Sequence, residues 1–153
     1  MSAPSKPRFD WFVSHIENCL SEINDVEVAV DEDGDYVIGT RPARIYVRPC
    51  REPYWAAEAF TIAAAGLQPK AAVLREINQL NSRSATAMLF LGGGGNVIVR
   101  QRIHCDGVST ETLCQAIGAV GCVAKDVGIL MASMFDGHSP FHMDPATSDA
   151  EDD

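Results

Sequence analysis

With 153 residues and 16.5 kDa, the chain has the size of one ordinary domain and is long enough to bury a core without disulfides or a structural metal. Apolar residues make up 46% and charged residues 22%, which excludes wholesale disorder and a membrane bundle. The net charge of −9 argues against nucleic acid and anionic membranes as partners, since both reward positive charge. Five of the 21 acids (Asp144, Asp149, Glu151, Asp152 and Asp153) stand in the last ten residues, leaving 16 acids against 12 bases in the body.

The five cysteines (Cys19, Cys50, Cys105, Cys114 and Cys122) form an odd set without a CxxC pair, and Met1 to Asp10 is polar and proline-containing, unlike a secretory leader. A reducing cytoplasm is the expected setting. The long apolar segment Leu113 to Phe135 carries Lys125 and Asp126 near its middle, too costly a pair for a bilayer centre, so it is expected to be a core helix.

In chain order, residues 1–8 are expected to be disordered. Phe9, Phe12, Val13, Ile16, Leu20 and Ile23 then recur at spacings of three and four and predict a first helix. The period changes to two at Val26, Val28 and Val30, and the turn residues Asp31 to Asp35 lead to Tyr36-Val37-Ile38, a hairpin. A third strand over Ala43 to Arg48 places Arg44, Tyr46 and Arg48 on one face. Two prolines make Pro49 to Pro53 irregular. Trp55 to Leu67 reads as a strand on Phe60-Thr61-Ile62 and Gly66, although its alanines also suit a helix.

Pro69 opens a helix over Lys70 to Asn81 with Val73, Leu74, Ile77 and Leu80 on one side. Strands Thr86 to Leu91 and Asn96 to Cys105 are joined by the flexible turn Gly92 to Gly95. After Asp106-Gly107, Ser109 caps a long helix with Glu111 in its first turn and Leu113, Ile117, Val120, Ala124, Val127, Met131 and Met134 as its buried stripe. Gly137 and Pro140 end it, and residues 138–153 read as a flexible acidic tail. The sum, α-β-β-β-(β)-α-β-β-α, predicts one α+β domain over residues 9–137, with an antiparallel sheet and helices packed on it.

Several groupings suggest chemistry and fail on spacing. An EF-hand loop counted from Asp31 would need Gly and Glu where Tyr36 and Pro42 stand, so Asp31 to Asp35 is an acidic hairpin tip. Gly92 to Gly95 runs into a strand and lacks the Lys-Ser/Thr of a phosphate loop. His138 and His142 are four apart, but Pro140 between them opposes a helix and no third ligand is nearby. His104 and Cys105, as neighbours on a strand, should point to opposite faces and so cannot pair as base and nucleophile. His15 lies in the first helix without a motif. GxSxG, HExxH, Walker A and paired CxxC are absent, and neither a cofactor nor a metal is called for.

Two groupings remain. Cys114, Gly118, Gly121, Cys122 and Lys125 form a small-residue stripe on the last helix, read first as core packing and second as a dimer interface; Cys114 and Cys122, about 12 Å apart along the helix, cannot bridge within it. Arg44, Tyr46 and Arg48 on one strand, with Arg100 and Arg102 on another, would form a positive patch if the strands share a sheet. Such a patch suits an acidic peptide or the chain's own tail, against the plainer reading of a solvated outer face.

The order of elements resembles the YbjN family, whose fold is shared with the class I chaperones of type III secretion. The resemblance is carried by the acidic hairpin Val28 to Ile38, by Arg44-Ile45-Tyr46-Val47-Arg48, by Leu74 to Asn81 with its two asparagines, and by Asp106 to Leu113 leading into the closing helix. Gly92 to Gly95, in place of a more usual acidic turn, and the acidic tail depart from the pattern. The resemblance implies a non-enzymatic protein-binding or regulatory function in the bacterial cytoplasm, of the kind loosely described as sensory-transduction regulation. It also implies a homodimer with a protein or peptide segment as partner. The alternatives are an enzyme using Cys105 or Cys50 as nucleophile, Arg51 beside Cys50 being its one hint, and a structural subunit assembling through the last helix.

Overall fold

The computed structural model describes residues 7–24, 28–39 and 44–141. Helix α1 (Pro7–Asn24) is followed by strands β1 (Ala29–Val30), β2 (Tyr36–Ile38), β3 (Ile45–Cys50) and β4 (Ala56–Ala64), helix α2 (Ala71–Arg83), strands β5 (Met88–Leu91) and β6 (Val97–His104), and helix α3 (Thr110–Met134). All six strands join one antiparallel sheet in the order β1-β2-β3-β4-β6-β5, as the α+β pattern predicts. His142 and the acidic residues 144–153 lie outside the described residues, as do 1–6.

The ambiguous alanine-rich segment is strand β4, and tertiary placement explains why. It lies between β3 and β6, with Ala56, Ala57, Ala59, Ala63 and Ala64 buried, and α3 rests directly on it. Large side chains there would hold the helix away; alanine, a helix former in isolation, lets it come close. Gly128 is the contact point, since a Cβ on it would overlap the carbonyl oxygen of Ala63. Ala63 falls at the register shift between β4 and β6, and its carbonyl accepts a hydrogen bond from Ser139 Oγ at 2.7 Å.

Helix α3 begins where expected. Ser109 Oγ accepts from the Thr112 amide at 3.1 Å and Thr112 Oγ1 accepts from the Ser109 amide at 2.8 Å, a reciprocal cap with threonine in the usual Glu/Gln position. Its buried face is Leu113, Ala116, Val120, Ala124, Val127, Gly128 and Met131. Ile117 is only half-buried and Met134 is 50% exposed, so the expected stripe is rotated slightly toward the small residues that permit contact. The core-packing reading of the small-residue stripe is corrected: Cys114, Gly118, Cys122 and Lys125 are exposed on the outer side, and Gly121 is half-buried against Ile45. By length and composition α3 could cross a membrane, but here its apolar face is the roof of the sheet.

Helix α1 contributes Phe9, Phe12, Ile16, Cys19 and Leu20 to the core and packs on α3. His15 ties α1 to the turn before α3, with Nε2 2.9 Å from the carbonyl oxygen of Val108 and its ring stacked on Trp11. Helix α2 packs on β5 and also closes that edge: Asn81 Nδ2 donates to the carbonyl of Leu89 at 2.9 Å while Asn81 Oδ1 accepts the Leu89 amide at 2.8 Å. One side chain thus satisfies backbone groups that would otherwise template another strand. The glycine-rich connection is an ordered short turn. Gly95, at φ 72°, accepts the Leu67 amide at 3.1 Å, and a Cβ there would overlap Leu67. Past Gly137 packing continues, with His138 bridged to Ala65 and Ser139 buried.

Gly128→Ala should cost about 1–3 kcal/mol or more of unfolding free energy, because β4 backbone must move. Gly118→Ala, with open space at its Cβ, should cost nothing and gain up to about 1 kcal/mol of helix propensity. Chemical denaturation of the two variants checks both.

Candidate functional site: the uncovered sheet face

Alternation along the strands sends Val47, Ala59, Val97, Val99 and Leu89 to the helices and leaves the opposite face uncovered by any described element. The register assembles that face in rows: Arg48, Glu58 and Arg102; Tyr46, Phe60, Arg100 and Met88; Ile62, Ile98 and Phe90. Arg44, two residues before Tyr46, extends it. All five residues singled out in the sequence, Arg44, Tyr46, Arg48, Arg100 and Arg102, therefore share one surface.

Sequence reasoning missed what lies among them. Tyr46 stacks on Phe60 with centroids 5.4 Å apart, Arg48 lies 3.9 Å above the Phe60 ring, and Arg100 lies 4.8 Å above Phe90. Two acids sit beneath the guanidinium groups. Arg48 Nη2 donates to Asp35 Oδ2 at 3.1 Å, and Arg102 Nε donates to Glu58 Oε2 at 2.7 Å with Arg100 Nη1 3.8 Å from the same oxygen. Arg102 also donates to the carbonyl of Glu52 at 3.2 Å. Glu58 is 7% exposed, whereas the Arg48 and Arg100 side chains remain 42% and 43% exposed. The patch is thus a lattice of rings and half-exposed arginines whose charge is partly neutralised from below. The signal for it was the alternation Glu58, Phe60, Ile62 against Ala57, Ala59 in β4.

A cleft of about 430 Å³ opens at the Arg44 end, lined by Arg44, Tyr46, Ile62, His138 and Pro140 among others. Among the described residues Arg44 has no acidic partner, and its Nε is buried without a hydrogen-bond acceptor. A second cleft, of about 590 Å³, lies at the other end beside Tyr54, Met88, Arg100 and Arg102.

Burial raises the pKa of Asp35, an effect that Arg48 opposes and Asp31 and Asp33 reinforce. Burial raises the Tyr36 hydroxyl further; it donates to Glu17 at 2.7 Å and stays protonated. The Arg102 pKa is raised by its hydrogen bond to Glu58. Burial and then the charge of Glu58 push the Cys50 thiol up despite Arg102 and Arg48, while Arg51, the suspected activator, lies over the Phe9 ring at 4.1 Å. This shift disfavours the thiolate form that a nucleophile needs.

His104 and Cys105 come together, contrary to the expectation from strand alternation. Strand β6 stops at His104, and the short turn Cys105–Gly107 brings Cys105 Sγ to 3.7 Å from His104 Nδ1. The acidic tip is a turn device: Asp31 Oδ1 accepts from the amides of Asp33 and Asp35 at 3.0 and 2.8 Å. His138 lines the first cleft, and His142 of the same motif lies outside the described residues. The small-residue stripe lies on α3, across the sheet from the arginines.

A family profile described as "T3SS (YopN, CesT) and YbjN peptide-binding chaperone 1" matches residues 10–143. The chain belongs to this family. No curated protein matches it. Among solved structures, a chain of the Yersinia pestis type III secretion chaperone SycH in complex with a stable fragment of YscM2 superposes with a TM-score of 0.56 at 16% identity, covering 78% of this chain and 98% of that one. A chain of the HopA1-SchA chaperone-effector complex superposes with a TM-score of 0.62 at 11% identity, covering 80% and 97%. At these identities the likeness is one of fold, and it agrees with the α+β order and the resemblance read from the sequence.

In the folded state the raised Asp35 pKa means that its charged form is penalised above that pKa and the penalty is relieved as pH falls through it. Carboxyl NMR titration should place Asp35 above the ordinary 3.8, and Arg48→Ala should move it higher still.

Proposed function

We propose that this protein is a non-enzymatic, cytoplasmic binding chaperone or regulator that receives a protein segment on the uncovered face of its sheet. The observation that carries the reading is the lattice of Tyr46, Phe60 and Phe90 with half-exposed arginines on a face that no described element covers. An extended segment lays alternate side chains against such a surface. Apolar anchors would contact Ile62, Ile98 and the rings, while acidic groups would be oriented by Arg44, Arg48, Arg100 and Arg102. The aromatic stacking holds the arginines in place before binding, which reduces the entropy lost on complex formation. The family description and the chaperone fold of the structural neighbours support a protein partner. Five unpaired cysteines suit a reducing compartment.

For a partner captured on the full chain and then purified, Arg44→Glu and Ile62→Asp should each weaken affinity about tenfold or more, about 1.4 kcal/mol, measured by calorimetry. Unchanged affinity in both variants, with circular dichroism showing them folded, would overturn the assignment of this face.

In the same proposal two copies associate through the outer side of α3. The support is that Cys114, Gly118 and Cys122 face outward there, and Ile129, on the same helical face, is 38% exposed. Gly118→Arg adds a long charged side chain in open space and should convert a dimer to a monomer by light scattering, with helix content unchanged. A wild-type chain already monomeric would remove the dimer from the proposal and leave the binding face untouched.

A further inference from the structure

Strand β6 ends at His104, and the turn that follows gathers three different metal-ligating groups. Cys105 Sγ lies 3.7 Å from His104 Nδ1 and 3.8 Å from Asp106 Oδ1, and His104 Nδ1 lies 3.6 Å from Asp106 Oδ2. One donor atom from each residue can be chosen so that all three lie within 4.8 Å of one another. In a tetrahedral zinc centre, bonds of about 2.0 Å to nitrogen and oxygen and about 2.3 Å to sulfur put neighbouring ligand atoms roughly 3.3–3.6 Å apart. These distances exceed that spacing by a few tenths of an ångström, but Cys105 and His104 approach different oxygens of Asp106, so ligation through one oxygen needs the exposed carboxylate to rotate.

The surroundings fix the turn that carries the three groups. The Asp106 amide donates to His104 Nδ1 at 3.3 Å, so the lone pair is on Nδ1 and the ring proton on Nε2; a metal would take that lone pair in exchange for this long hydrogen bond. The ring is stacked on Tyr54, with centroids 5.3 Å apart. The Cys105 amide donates to the carbonyl of Trp55 at 2.9 Å and ties the turn to the start of β4. The His104 and Asp106 side chains are 56% and 91% exposed, so an ion can reach the site from solvent.

We propose that His104, Cys105 and Asp106 form a three-ligand site for a zinc-class divalent metal, with the remaining coordination position open to solvent. A thiolate-imidazole-carboxylate set selects against calcium and magnesium, which take oxygen ligands, and suits zinc, cobalt or copper. On binding, the Cys105 S–H bond breaks, its proton passes to solvent and a sulfur–metal bond forms, with no change of oxidation state. The site does not depend on the peptide-binding reading.

Titration of the reduced full chain with Co²⁺, used as a spectroscopic probe, should produce a thiolate-to-cobalt charge-transfer band that saturates at one equivalent and is displaced by Zn²⁺. Cys105→Ser should abolish the band, and His104→Gln and Asp106→Asn should each weaken binding at least tenfold. The double variant Cys114→Ser, Cys122→Ser, which removes the two exposed thiols, should leave it unchanged. No charge-transfer band, a band that survives Cys105→Ser, or one lost in the double variant would overturn the site. Rapid alkylation of Cys105 in a chain that gives no band would overturn it in favour of an activated thiol.

Discussion

Everything in this domain depends on the contact between α3 and β4. The helix approaches until Gly128 meets the backbone of Ala63, and the alanines of β4 leave the space that makes this approach possible. A long helix seated so close to the central strand buries Leu113, Val120, Ala124 and Met131 without large side chains beneath it, and leaves α1 and α2 to close the flanks. The core is built from small contacts at high density, in which the position of each backbone matters more than the bulk of any one side chain.

The same arrangement creates the surface proposed for binding. All the large residues of β4 must point away from α3, so Glu58, Phe60 and Ile62 are delivered to the face that the helices leave bare. Two acids on that face sit beneath arginines whose guanidinium groups also lie over aromatic rings. A buried carboxylate is tolerable only with such partners, and the partners are held flat and half-exposed by the acids they satisfy. The side chains proposed for recognition are therefore also ones that stabilise the sheet. Reading Arg48 or Arg102 as a free positive charge overstates the potential of the face, whereas Arg44, without an acidic partner among the described residues, is the group in the lattice best placed to meet an acid from outside.

Much of this was legible in the chain. The periods of Phe9 to Ile23 and Lys70 to Asn81, the Asp-Gly turn and the Ser109 cap all rest on interactions between near neighbours, and all appear in the structure. Placing Arg44, Tyr46 and Arg48 on one face needed only strand alternation. The small-residue stripe on α3 was read inward because small residues often mark close packing; the actual close contact is at Gly128, on another side of the helix. The His104–Cys105 pairing escaped because alternation was extended one residue past the end of the strand.

By itself, the sequence determined the element order, the antiparallel α+β class and the family resemblance, because periodicity, caps and turn residues act over a few positions and leave a local record. Only the tertiary structure decided that β4 is a strand, that no described element covers its bulky face, that Arg102 and Glu58, 44 residues apart, pair, and that α3 turns Cys114, Gly118 and Cys122 outward while Gly128 faces β4. Each of those depends on which backbone lies opposite, and strand register across a crossover has no local signature to read.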